Sequence, residues 1–85
     1  ENELEKVVLS YQPFQGKYIK SQPLHTSQKI LIDNAKELRI ELTVCPNYEL
    51  EEQILKQGER VQVIEPAWLR EHIKKRIDLA RLNYA

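Results

Sequence analysis

Lys29-Ile30-Leu31-Ile32-Asp33-Asn34, followed by Leu38-Arg39-Ile40-Glu41-Leu42-Thr43-Val44, is the stretch on which the fold turns. The first run is rich in β-branched residues and ends in the turn-forming pair Asp33-Asn34. In the second, Leu38, Ile40, Leu42 and Val44 alternate with Arg39, Glu41 and Thr43. A strand sends successive side chains to opposite faces, so this alternation predicts a strand with one buried face. Two such runs joined by a short polar turn predict a hairpin. A hairpin in the middle of a short chain leaves one structural unit on either side of it, and the nature of those units decides the architecture.

Upstream, Val7, Leu9 and Tyr11 alternate with Lys6, Val8 and Ser10, which predicts a first strand over Leu4 to Tyr11 with the second set facing outward. Pro13 has the fixed φ of a first helical turn, and Phe14 and Tyr18 stand four residues apart, so a helix is expected from Pro13 to Ser21. Gly16 inside that helix costs about 1 kcal/mol relative to alanine. Pro23 ends it. Downstream, Asn47 can cap a second helix, with Glu49, Glu51 and Glu52 near its positive end, Leu50, Ile54 and Leu55 as its buried stripe, and Gly58 as its left-handed stop. Val61 to Ile64 reads as a last short strand, and Glu65-Pro66 opens a final helix running to Asn83.

The order β-α-β-β-α-β-α predicts an α+β domain of the ferredoxin-like type. Two crossover units share one antiparallel βαββαβ sheet, helices cover one face, and an additional C-terminal helix follows. The other face is left for solvent or a partner. At 85 residues the chain holds one domain, 1–85. It has no Met, even at position 1, and is expected to be a piece from the C-terminus of a longer protein.

Thirteen Lys and Arg balance thirteen Asp and Glu, so the totals recruit neither a polyanion nor an anionic membrane, and any basic site is local. The apolar runs are far too short for a membrane span, and one cysteine, Cys45, forms no internal disulfide. A reducing, cytoplasmic setting is expected. The outward strand positions lack the aromatic platform that stacks single-stranded RNA, and the segment after the first strand lacks a glycine-rich phosphate cradle. His25 and His72 have no paired thiols for a metal. No metal, cofactor or enzymatic activity is therefore expected. Cys45 reads either as a small packing residue or as a nucleophile meeting His25 or His72 in the fold.

Four features have two readings each. His25, Thr26, Ser27 and Gln28 either tie down their own turn or form a patch toward a ligand or neighbouring domain, with Lys17 and Lys20 preceding them. On the final helix, Arg70, Lys74 and Arg81 share one flank, either as a solvated face balanced by Glu71 and Asp78 or as an edge for single-stranded nucleic acid. Trp68 lies at the border of an apolar arc made with Leu69, Ile73, Ile77, Leu79, Ala80 and Tyr84, as core or as interface anchor. Arg76 falls inside that arc, either snorkelling past the core or reaching a partner's polar group.

Pro23-Leu24-His25-Thr26-Ser27-Gln28, then Asn47-Tyr48-Glu49-Leu50 to Ile54-Leu55, then Gly58-Glu59-Arg60-Val61-Gln62-Val63-Ile64-Glu65-Pro66-Ala67-Trp68-Leu69-Arg70 together resemble the C-terminal extension, WCX, of bacterial WYL-domain transcriptional regulators. The resemblance implies an N-terminal winged helix-turn-helix that binds DNA, a central WYL domain, and this domain as part of an effector-sensing, dimer-forming half. Single-stranded nucleic acid is the effector suspected for some members. By position it implies Lys17, Lys20, His25, Ser27 and Gln28 for the ligand or WYL-facing side. Trp68, His72, Arg76 and Tyr84 are implied for contact with a second subunit of a homodimer. The alternative is a ferredoxin-like regulatory domain that senses an amino-acid-type small molecule for a metabolic enzyme.

Overall fold

A computed structural model describes residues 3–85. It has strands β1 (Glu5–Tyr11), β2 (Lys29–Asp33), β3 (Leu38–Val44) and β4 (Val61–Glu65), with helices α1 (Pro13–Ser21), α2 (Tyr48–Lys56) and α3 (Ala67–Arg81). The four strands form one antiparallel sheet in the order β2-β3-β1-β4. Each crossover helix thus connects strands that are not neighbours, which is the ferredoxin-like arrangement. The expected hairpin is β2 and β3, joined by a turn in which Asn34 Oδ1 accepts the N–H groups of Lys36 and Glu37.

The core lies under one face of the sheet. Val7, Leu9 and Tyr11 of β1, Leu38, Ile40 and Leu42 of β3, and Val63 of β4 meet Ile19 of α1, Ile54 of α2, and Leu69 and Ile73 of α3. The alternation read from the sequence therefore places the right residues inside, and burying each large aliphatic side chain contributes about 1.5–3 kcal/mol. Gly16 has a role that helix propensity does not reveal. A Cβ on Gly16 would sit 2.8 Å from Leu38 Cβ, so the missing side chain lets α1 lie directly on β3.

The local signals at the helix ends behave as expected. Asn47 Oδ1 accepts the Leu50 N–H at 2.9 Å, and Gly58 adopts φ +57°, the left-handed stop after α2. Three readings shift. β1 begins at Glu5, because its register partner Val44 is the last residue of β3 and leaves Leu4 nothing to pair with. Pro66 precedes α3, which starts at Ala67, with a cis peptide bond at Glu65-Pro66. Val8, expected to point outward, is on the open face yet buried. It lies on a central strand between Glu41 and Glu65, whose longer side chains flank it.

Beside Val8, and Ile32 opposite Arg39, the open face carries polar and charged pairs. Ser10 donates to Glu37 Oε1 at 2.6 Å, Arg39 Nε reaches the same oxygen at 3.1 Å, and Lys6 stands 3.9 Å from Glu41. The Ser10 hydroxyl, and after it the Arg39 guanidinium, hold the Glu37 carboxyl below its usual range against an opposing desolvation. The β2 edge carries a bulge between Ile30 and Ile32, with Lys29 and Asp33 at its ends, features that discourage edge-to-edge pairing.

Candidate functional site

The segment between α1 and β2 is fastened at both ends. Gln28 Nε2 donates to the Ile19 carbonyl at 3.1 Å and its Oε1 accepts the Leu24 N–H at 3.0 Å, closing the loop on α1. The Ser27 hydroxyl accepts the Thr43 N–H at 2.9 Å and lies 3.2 Å from the Thr43 carbonyl, so a side chain continues the ladder beside β3 where β2 has not begun. His25 Nδ1 accepts the Ser27 N–H at 3.0 Å, which assigns the proton of the neutral ring to Nε2. The His25, Ser27 and Gln28 group thus ties down its own backbone, and of the three only the exposed His25 ring keeps an outward-facing side.

Lys17 and Lys20 do not join this group. The Lys17 ammonium lies 5.8 Å from the Phe14 ring centroid, and Lys20 pairs at 3.0 Å with Asp33, at the opposite end of β2 from the loop. Cys45 and His25 do line a common cleft of about 310 Å³, with Leu4, Leu42 and Leu50 among its other walls. His72 is elsewhere.

Along α3, Trp68, His72 and Arg76 follow one another at intervals of four and each meets an acid of this same chain. The Trp68 indole N–H donates to Glu5 at 3.0 Å, His72 Nε2 lies 3.1 Å from Glu51, and Arg76 donates to Glu51 and Glu52, both at 2.9 Å. The Arg76 guanidinium also stands 5.5 Å from the Tyr48 ring centroid. Within this chain Arg76 crosses to α2 and clamps the two helices. Hydrogen bonding to Arg76, then to Tyr48, draws the Glu52 carboxyl below its usual range, and Glu52 and Glu51 raise Arg76 in turn. Glu51 and Glu52, expected only to serve the dipole of α2, thus also hold α3, and the four-residue spacing of Trp68, His72 and Arg76 is the signal of this clamp in the sequence.

Tyr84 lies past the clamp at 91% exposure, and the apolar arc opens with it. Only Leu69 and Ile73 of that arc are buried, whereas Ile77, Leu79 and Ala80 are exposed. Arg70, Lys74 and Arg81 share the exposed flank, and Arg70 and Lys74 have no ion-pair or hydrogen-bonding side-chain partner among the described residues. One buried polar pair lies inside the core. The Tyr11 hydroxyl and Gln57 Oε1 are buried without geometrically satisfactory partners, and burial raises the Tyr11 hydroxyl above its ordinary range, with the Gln57 side chain opposing. Among the described residues no group of three or more His, Cys, Asp or Glu is placed to hold a metal, and no helix is long and apolar enough to cross a membrane.

The strand order, the two crossover helices and a further helix clamped beside them define a ferredoxin-like α+β domain with a C-terminal extension. The family model of the WCX domain matches residues 3–80, and the chain belongs to the WCX domain family. Comparison with curated proteins brings no match.

Proposed function

We propose that this domain is a non-enzymatic regulatory module of a WYL-domain helix-turn-helix transcriptional regulator. It acts by contact with its own WYL domain and with the second subunit of a homodimer, coupling effector occupancy to DNA binding by a winged helix-turn-helix elsewhere in the regulator. The observation that carries this reading is the extent of the family match, which runs over residues 3–80 and so takes in every strand and almost all of α3. The geometry supports it. Ser27 is engaged in holding the loop to β3, and His72 and Arg76 in holding α3 to α2, while the open sheet face and the outer part of α3 are surfaces turned outward. Such a module transmits a signal only if effector binding favours one packing of domains over another. Single-stranded nucleic acid as effector would meet the Arg70, Lys74 and Arg81 flank. With a formal net charge of zero, that contact would be weak for this domain alone and would fall steeply with salt. A regulator of this kind works in the cytoplasm.

The test removes residues 3–80 from the complete regulator and compares the two forms by sedimentation velocity and by DNA-binding anisotropy with and without effector. Loss of the dimer and of the effector response, with the DNA-binding part still folded, is the expected result. A truncated form that stays dimeric and responds unchanged would refute the reading, as would turnover of a substrate by the domain itself.

A further inference from the structure

A cleft of about 230 Å³ lies between α2, β4 and α3. Ile54, Leu55, Val63, Ile73 and Ile77 are among its apolar walls, Gln62 adds a neutral polar group, and Arg70 and Lys74 line it from the α3 flank beside Ile73 and Ile77. No acidic residue lines it among the described residues. Arg70 and Lys74, like most of the Lys and Arg outside the pairs made by Lys6, Lys20, Arg39 and Arg76, have no carboxylate partner among the described residues, and here two such cations stand together at an apolar hollow. Two uncompensated positive charges beside an apolar hollow complement a molecule with an anionic head and a hydrocarbon tail. The head would accept hydrogen bonds from guanidinium and ammonium, and the tail would displace water from the walls.

We propose that this cleft binds an amphipathic monoanion, a linear aliphatic carboxylate. Its volume falls below the ~300–1,000 Å³ usual for drug-sized ligands, so a short-chain carboxylate such as octanoate is the probe of choice. A phosphodiester would satisfy the cations and leave the apolar walls unused, and no aromatic ring lines the cleft to stack a base, so nucleic acid fits it less well. The proposal goes beyond the regulatory role above and stands on this chain alone.

The test is a titration of the isotope-labelled 85-residue chain with sodium octanoate, followed by amide chemical shifts, with 1-octanol and a short oligothymidylate as comparators. Saturable shifts centred on Leu55, Val63, Ile73 and Ile77 are expected, with a Kd on the order of 1 mM. Octanol should bind about tenfold more weakly, because hydrogen bonds to charged groups are the stronger kind. The double variant Arg70→Ala, Lys74→Ala replaces two exposed side chains and should keep its spectrum while losing about tenfold or more in octanoate affinity. Absence of saturable shifts, equal binding of octanol, undiminished affinity in the double variant, or tighter binding of the oligothymidylate at the same residues would each overturn the proposal.

Discussion

The two halves of α3 have the same helical backbone and opposite relations to the rest of the domain. In the first stretch, up to Arg76, Leu69 and Ile73 enter the core while Trp68, His72 and Arg76 meet Glu5, Glu51 and Glu52. In the second, Ile77 is 50% and Leu79 58% exposed, although both belong to the apolar arc. A fifteen-residue helix is about 22 Å long, and β4, against which it packs, has only five residues. The arc runs on after its partners end. Amphipathicity therefore says which side of a helix can be buried, and the length of its neighbours says how much of it is.

The sharpest way to break this contrast is to truncate a residue in each half. Leu69→Ala should destabilise the domain by about 3 kcal/mol in urea unfolding, through lost transfer energy and the cavity left behind. Leu79→Ala should stay within about 0.5 kcal/mol of the parent. Similar values at both sites would mean that the halves are not distinct.

Gly16→Ala tests whether the covered face is packed as closely as the fastened half requires. On helix propensity alone the change should stabilise by about 1 kcal/mol. The clash of the new Cβ with Leu38 should reverse that sign and destabilise by about 1–3 kcal/mol in the same assay. A stabilised variant would show that α1 can move off β3.

The clamp gives a smaller, pH-dependent effect. The Glu52 carboxyl titrates lower in the folded domain than when unfolded. Its contribution is therefore complete above the unfolded value and is lost as pH falls through the folded one. Unfolding midpoints in urea should hold steady down to about pH 4.5 and decline below it, as for other paired carboxylates. Glu52→Gln should lower the neutral-pH midpoint by less than Leu69→Ala does and flatten part of the acid decline. An unchanged acid limb would place Glu52 outside the clamp. Tyr84→Ser should have the smallest effect, with a midpoint that does not move, because the ring at 91% exposure leaves the fold nothing to lose.

Much of the fold was legible because its signals are local. The period-two pattern of Leu38 to Val44, the Asn47 cap and the Gly58 stop each act within a few residues, and together they fix the element order. The site was less legible because its geometry depends on pairs distant in sequence. Ser27 meets Thr43, Trp68 meets Glu5, and Arg76 meets Glu51 and Glu52, so these side chains fasten the structure where spacing alone left their partners open. Gly16 belongs with them: its cost is visible in the sequence, and its purpose appears only when Leu38 lies across from it.

Native-state hydrogen exchange, read amide by amide along α3, tests the central claim most directly: the first half of this helix belongs to the cooperative core and the second half stands outside it. Protection of the amides at Ile73, Lys74 and Arg76 should match that of Leu9 and Ile40 in the sheet, whereas those at Leu79, Ala80 and Arg81 should exchange orders of magnitude faster. Uniform protection from Ile73 to Arg81, or a helix that opens as a whole before the sheet does, would contradict it.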